Sequence, residues 1–260
     1  MSTSAPVLLS LDTATERIHA ALSVGEQVRA RELPGGAQAS STLLPALGAL
    51  LSEAGLVWAD LDAIAFGSGP GAFTGLRTAC AITQGLALGL ERPVIPLDTL
   101  MAVAEDARQQ SPEAWLPGDL LWVLQDARMG ELYVGAFRWD GRSWLAEATP
   151  QLWPLDEPAR RWAISAPEAP EGAPRVAPGL RLAGNALLAY PAELAPLLAP
   201  EAGVGRWPRA QPRGAALAAL AQQAWAQGLA VDAALALPRY VRDKVAQTTA
   251  ERAAAKAAAA

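Results

Sequence analysis

Two α/β lobes facing each other across a cleft are predicted for this chain of 260 residues, on three observations. The alternating run VLLSLDTATERIHAALSVGEQVRARELP, Val7 to Pro34, reads as three short antiparallel strands. Helix-period and strand-period segments then take turns as far as Gln110. After the proline-containing break SPEAWLPGD the opening pattern restarts, because LLWVLQDARMGELYVGAFRWDG repeats the plan of VLLSLDTATERIHAALSVGE. In each copy an apolar strand ends in an aspartate, Asp12 or Asp126. A tight turn follows, then an alternating strand ending in glycine, with Ile18 and Leu132 each six residues after the aspartate. A chain of this length buries about 70–75% of its unfolded surface, enough for one large core or two modest ones.

The elements follow in order. Turns are expected near Thr13 to Arg17 and at Gly25. A helix spans about Thr42 to Ala54, with Leu43, Leu44, Leu47, Leu50 and Leu51 on one stripe, a Ser or Thr cap, and Gly55 as its stop. Pro45 falls in its first turn, where no N–H partner is lost. Next come the strand LDAIAF, the glycine-rich loop FGSGPGAFTGLR (Phe66 to Arg77), a helix over about Gly75 to Gly89, the strand RPVIPL, and a helix over about Asp98 to Gln110. Later helices are expected near Asn185 to Leu198 and Arg213 to Gly228. Between them Trp144 to Pro178 is rich in Pro, Ala and Trp, with only short strand-like pieces. The end, ERAAAKAAAA, is helix-prone but has no apolar face to dock, so fraying is expected. The boundaries that follow are 1–108 for an N-terminal lobe, 109–245 for a C-terminal lobe whose late helix can pack back on the first, and 246–260 for a disordered tail.

Composition excludes several chemistries. A net charge of −5 argues against a broad phosphate-binding surface, which needs clustered Lys and Arg; a nucleic-acid substrate would have to be held by a partner. With a single cysteine and a single histidine, neither a disulfide nor an HExxH or two-histidine metal site forms within the chain. Cys80, between Ala79 and Ala81 in a helical pattern, reads as a small buried thiol, and His19, in an alternating run, as an exposed strand residue. The uncharged runs Leu33 to Ser52 and Gly214 to Val231 are broken by Gly, Pro, Ser or Gln, so no membrane span is expected. MSTSAPVLLSLD lacks a basic n-region and a long apolar segment, so a cytoplasmic location is expected.

The glycine-rich loop admits two readings. A Walker A loop needs a lysine after the last glycine, and none is present; a dinucleotide fingerprint fails because Pro70 follows Gly69 and Thr74 stands where the last glycine should be. There is no GxSxG elbow either, and His19 is the sole candidate base. What remains is backbone chemistry: free N–H groups at a helix N-terminus can bind an anion. Alternatively Gly67, Gly69, Gly71 and Gly75 permit positive φ and close packing, with Thr74 as N-cap. Asp12, with Thr13 and Thr15 in the adjacent turn, is likewise either one wall of a phosphate and metal site or a turn residue whose carboxylate caps local N–H groups, and Asp126 in the equivalent place favours the first reading only a little.

The helix LRTACAITQGLALGL carries Ala81, Gly85 and Gly89 every fourth residue, a flat face that lets another backbone approach. Ile82 and Leu86 line an adjoining stripe. A helix apolar nearly all round is expected to be covered on both sides. One cover is the lobe's own sheet; the other is a second helix, internal or from another subunit, with the leucine-rich helix at Thr42 to Ala54 sharing that surface.

These segments resemble the TsaB (YeaZ) family. LSLDTATERIHAALSVG, GSGPGAFTGLRTACAITQGLALGLERPVIPLDTL, QDARMGELYVGAF, AGNALLAYPAEL and LPRYVRDKVA occur in the family's order over about Val7 to Ala246, and GPGAFTGLR is the most specific of them. The resemblance implies an actin-like, Hsp70-like two-lobed (ASKHA) fold, each lobe a mixed sheet with flanking helices. It implies a non-catalytic scaffold that binds and activates TsaD, the transferase making threonylcarbamoyladenosine in tRNA, in a complex cycled by the ATPase TsaE. Partners implied are a TsaD-like enzyme, a TsaE-like ATPase, tRNA indirectly through the complex, and a second copy of the chain when it is alone. The docking face expected is Leu43, Leu44, Leu47, Leu50, Ala81, Gly85, Leu86 and Gly89. Asp12, Thr13, Thr15, Gly69, Gly71, Thr74 and Asp126 are the residues expected at any vestigial phosphate site.

No cofactor is required by the chain on this view, with ATP or ADP placed at the interface with partners. The His-x-x-x-His pair that holds TsaD's metal corresponds to Thr99 and Val103, which disfavours the superfamily's older metallopeptidase label. Two positions depart from TsaB relatives: a histidine common before the first helix is replaced near Ala39, and a lysine of the second is Gln84. The alternative is an ATP-dependent phosphotransferase of the sugar-kinase class, which shares the lobes and the turn at Asp12.

Overall fold

The computed structural model describes residues 5–36, 39–162, 179–199 and 202–242; the alanine-rich end lies outside them. Strands β1 (Val7–Asp12), β2 (Arg17–Val24) and β3 (Gln27–Pro34) form an antiparallel meander, turned by Gly25 at a φ of +56°. Helix α1 (Ala39–Glu53), β4 (Ala63–Gly69), α2 (Phe73–Leu90), β5 (Val94–Asp98) and α3 (Thr99–Gln110) follow. Strands β4 and β5 join β1 in parallel, giving the order β3-β2-β1-β4-β5.

The second half repeats the opening hairpin as β6 (Leu120–Asp126) and β7 (Glu131–Trp139). Then come β8 (Trp144–Ala146), β9 (Gln151–Pro154), α4 (Glu157–Trp162), β10 (Arg181–Ala183), α5 (Ala186–Ala189), α6 (Ala195–Leu198), β11 (Gly205–Trp207) and α7 (Gly214–Ala226). The second sheet has the order β11-β10-β6-β7-β8, with β9 paired to β7. The repeat holds at the level of single bonds, since Asp12 accepts the N–H of Ala14 and Asp126 that of Arg128, each at 2.7 Å. Its register differs by one residue: Asp12 faces His19, whereas Asp126 faces Leu132.

Alternation along each strand sends side chains to two covered faces. On the first sheet, Leu9, Leu11, Ile18, Ile64 and Phe66 pack under α1 and α2, while Leu8, Ala63, Ala65 and Ile95 pack under Leu217 and Ala221 of α7. On the second, Leu121, Val123 and Phe137 pack against Leu100, Val103 and Ala107 of α3, and the other face holds Trp153, Trp162 and Leu187. Helices α3 and α7 thus lie between the sheets, tied where Asp106 accepts the Gln211 N–H and pairs with Arg213.

Several expectations need correction. Helix α1 begins at Ala39, not near Thr42, so Pro45 lies beyond its first turn. The helix expected at Asn185 to Leu198 is split into the short α5 and α6, because Tyr190 leaves the helical region at φ −130° and Pro191 follows it. His19 is not an exposed strand residue but is 1% exposed: β2 is covered on both faces, since α7 returns to the first sheet, and Gly214 starts that helix directly against the Ala20 carbonyl.

Burial lowers the pKa of His19 from its ordinary 6.5 to about 4, with Arg213 and Arg17 adding to the fall and Glu32 and the Gln211 side chain opposing it. Between those two pH values the unfolded chain takes up a proton at His19 that the folded chain refuses, so this residue makes stability fall as pH falls. The prediction is that His19→Gln loses less stability than the parent between pH 6.5 and pH 4, by up to about 3 kcal/mol; urea unfolding across that range is the check.

Candidate functional site

The glycine-rich loop carries β4 into α2 and lies against the β1–β2 turn. A Cβ on Gly75 would stand 1.9 Å from the Thr13 carbonyl oxygen, one on Gly71 2.5 Å from Ala14 Cβ, and one on Gly67 1.7 Å from Asp12 Oδ2. The Ala72 N–H donates to the Ala14 carbonyl at 2.8 Å, and the Thr13 hydroxyl to the Gly75 carbonyl at 2.6 Å. The glycines therefore serve close backbone approach. The expected cap is corrected here: α2 starts at Phe73 after an Ala72 cap, and Thr74 lies within its first turn.

The opposite wall comes from the second lobe. A cleft of about 670 Å³ is lined by Thr13, Thr15, Gly71 and Thr74 on one side and by Asp126 and Tyr133 on the other. Five of the seven residues expected at a phosphate site thus share this cleft. Asp12 is buried behind it, and Gly69 faces Arg239, whose carbonyl oxygen a Gly69 Cβ would approach to 2.7 Å. Asp12 has both carboxylate oxygens engaged, by the Ala14 N–H and by the Thr99 hydroxyl at 2.8 Å. Burial raises its pKa to about 6, with Asp98 adding to the rise and the two hydrogen bonds opposing it. Asp126 accepts from Tyr190 at 2.7 Å and pairs with Arg128, and its own N–H donates to the Asn185 side chain.

Residues beyond α7 also line the cleft: Arg239, Tyr240 and Arg242. Their segment, LPRYVR, carries neither helix nor strand period; a proline, an aromatic and two arginines within six residues were the available signal. The cleft's guanidinium groups face carboxylates, Arg128 with Glu16 and Asp126, Arg239 with Asp98, and Arg242 with Glu131. A phosphate would have to displace them. Thr99 is bonded to Asp12 and Val103 lies in the core. Among the described residues no group of three or more His, Cys, Asp or Glu is placed to hold a metal.

The expected docking residues divide. Ala81, Gly85 and Gly89 lie exposed along α2, and a Cβ on either glycine would meet no described residue within 4 Å. Leu88 beside them is 59% exposed and Leu44 on α1 is 41% exposed. Leu43, Leu47 and Leu50 are fully buried and Leu86 is half-buried, packed in the first lobe's own core. The leucine stripe of α1 thus faces inward onto β2 and β3, which corrects its placement on a docking face. Among the described residues, no second cover lies over α2 along Ala81, Gly85 and Gly89. Cys80 is buried, and burial pushes its thiol up to about 11.

Two sheets, each opening with the same aspartate hairpin and enclosing a cleft, define the class as a two-lobed protein of the actin-like fold. Solved structures agree: YeaZ from Pseudomonas aeruginosa superposes with a TM-score of 0.71 at 30% identity, covering 90% of this chain and 99% of that one. A second structure, described as similar to peptidase YEAZ from Pseudomonas aeruginosa, gives 0.73 at 31% over 91% and 100%. The model described as "TsaD: tRNA N6-adenosine threonylcarbamoyltransferase" matches residues 35–250, and the chain belongs to that family, in its TsaB (YeaZ) branch. The TsaB protein of Escherichia coli is 37% identical over 145 residues, that of Haemophilus influenzae 41% over 129. Those stretches cover 55% and 48% of this chain and span 60% and 51% of the two relatives.

The two kinds of glycine separate in stability. Gly75→Ala is expected to cost about 2 kcal/mol or more through the Thr13 clash, whereas Gly85→Ala, on an open helix face, gains about 0.5–1 kcal/mol; urea denaturation of both variants decides. For Asp12, the folded chain keeps its proton up to about pH 6 while the unfolded chain releases it in the ordinary carboxylate range, so its contribution is lost as pH rises. Asp12→Asn, which can still accept from Ala14 and bond Thr99, is expected to raise stability at pH 7 by up to about 3 kcal/mol and much less at pH 4; the same titrations read it.

Proposed function

We propose that this chain is the activating subunit for a TsaD-type threonylcarbamoyltransferase in tRNA threonylcarbamoyladenosine synthesis and carries no transfer chemistry of its own. The observation that carries this reading is the open face of α2: exposed small residues, with room beyond Gly85 and Gly89 among the described residues, beside an exposed leucine, on a helix whose other side packs into the core. Such a face suits close helix-to-helix approach, and apolar surface left open in water marks an association site. Both curated relatives cited above are named tRNA threonylcarbamoyladenosine biosynthesis protein TsaB.

The docking face on this reading is Ala81, Gly85, Leu88 and Gly89 with Leu44. In the absence of the enzyme it pairs with a second copy of itself, since an isologous contact covers the same patch on both subunits. The acidic chain leaves tRNA to the transferase. A TsaE-type ATPase completes the assembly, with any ATP or ADP lying where the subunits meet. Engagement of both Asp12 oxygens and pairing of the cleft arginines support a supporting role over phosphoryl transfer. The cytoplasm, where tRNA is modified, is the location this role requires. Among the described residues no helix is long and apolar enough to cross a membrane.

The test is threonylcarbamoyl transfer to tRNA by purified TsaD, TsaE and the threonylcarbamoyl-AMP synthase, with and without this chain, alongside ATP hydrolysis by the chain alone. Strict dependence without hydrolysis is the expected result; hydrolysis by the lone chain with no effect on transfer would instead establish a phosphotransferase. Gly85→Arg, placed where a Cβ meets no described residue, is expected to leave the melting temperature within a few degrees and to weaken activation and self-association at least tenfold, read by titration of the transfer assay and by analytical ultracentrifugation.

A further inference from the structure

After α7 the chain runs back across the molecule and touches both lobes. Val231 exchanges backbone hydrogen bonds with Val94 at 2.8 and 2.9 Å, and Ala233 and Ala236 enter the core beside α2. The Arg239 N–H donates to the Ser68 carbonyl at 2.6 Å, and its guanidinium stands 3.2 Å from Asp98. The Tyr240 ring lies 5.1 Å from that of Phe73. Its hydroxyl accepts from Arg77, whose guanidinium sits 3.7 Å over Phe73. Arg242 then reaches the second lobe, where it pairs with Glu131 and donates to the Arg128 carbonyl at 3.3 Å; its side chain is 12% exposed.

On the first lobe this segment lies at the carboxyl ends of β4 and β5, the edge at which open α/β sheets receive ligands. The other contacts across the cleft mouth are weak by comparison. Glu16 and Arg128 form an ion pair in which both side chains are largely exposed, a kind worth about 0–1 kcal/mol. The Tyr133 hydroxyl is 3.5 Å from the Gly71 carbonyl oxygen. Helices α3 and α7 join the lobes away from this mouth.

We propose that Arg239 to Arg242 is an intramolecular clasp: it occupies the strand-end site in place of a ligand and, through Arg242 and Glu131, fixes the separation of the lobes at the cleft mouth. This goes beyond the docking role and is measured on the chain alone, so either reading can fail without the other. Neither Arg242 nor Glu131 lies on the exposed face of α2.

The test is amide hydrogen exchange on Arg242→Glu, Glu131→Arg and the double charge swap. Each single variant is expected to speed exchange about tenfold or more at residues 13–16, 71–76 and 127–130, which line the mouth, while the buried strands β1 and β6 keep the parent's protection. The double variant restores the pair with reversed polarity and is expected to return those segments to parental rates. Unchanged exchange in both single variants overturns the proposal. If a single variant loses structure throughout, the double variant decides: recovery supports the clasp, and failure to recover overturns it.

Discussion

The first lobe depends on one close contact between two stretches of backbone, the β1–β2 turn and the loop from β4 to α2. Only glycine allows it, because side chains at residues 71 and 75 would occupy the space of Ala14 and the Thr13 carbonyl. Two hydrogen bonds then join the segments, satisfying backbone groups that would be costly to bury alone. The contact fixes where α2 starts and in which direction it leaves the sheet. It thereby decides which residues of α2 face Phe66 and Ile64 and which are left in water. The exposed line Ala81, Gly85, Gly89 follows from a loop that also forms one wall of the cleft.

That contact also separates the two aspartates that the repeat makes equivalent. In the first lobe the turn is pressed under the loop, so Asp12 is sealed from solvent with Thr99 and Ala14 as its partners. In the second lobe no such loop covers the turn among the described residues, and Asp126, lining the cleft, answers to Arg128 and Tyr190. Duplicated sequence has thus reached two electrostatic states. Burial raises the affinity of one carboxyl for its proton, and the other is held in an ion pair. The sealed side also contains Ser10 and His19, whose Oγ and Nε2 find no partner among the described residues, and polar atoms buried without a partner weaken the lobe rather than strengthen it.

Period and punctuation made the scaffold legible in the sequence. Strands from β1 to β7 and helices α1 to α3 follow from alternation, leucine stripes and glycine stops, and the midpoint restart announced the second sheet. Burial was harder to read, because it depends on which distant helix covers a strand. His19 alternates like an exposed residue, and only the return of α7 to the first sheet buries it. Leu43, Leu47 and Leu50 form a stripe that suits a docking face as well as a core, and periodicity does not say which side the sheet lies on. The cleft was half legible: its glycines and aspartates carry local signals, whereas Arg239, Tyr240 and Arg242 act through contacts more than a hundred residues away in the chain.

A helix end, two aspartate turns and a cleft between lobes would suit phosphate chemistry if their side chains were free, and here Asp12, Thr13, Asp126 and the cleft arginines are engaged. Each has been turned to an internal contact: the loop to the turn, Asp12 to Thr99, and the arginines to Asp98, Glu131 and Glu16. Such contacts stiffen the first lobe on the side of α2 that faces the core, while the opposite side has no cover among the described residues. A rigid helix with an uncovered face loses little conformational entropy when a second helix is laid on it. The spent cleft and the open helix are therefore two results of the same packing. Internal pairing makes the cleft poor in free ligand groups, and the rigidity gained makes α2 a good surface for a partner.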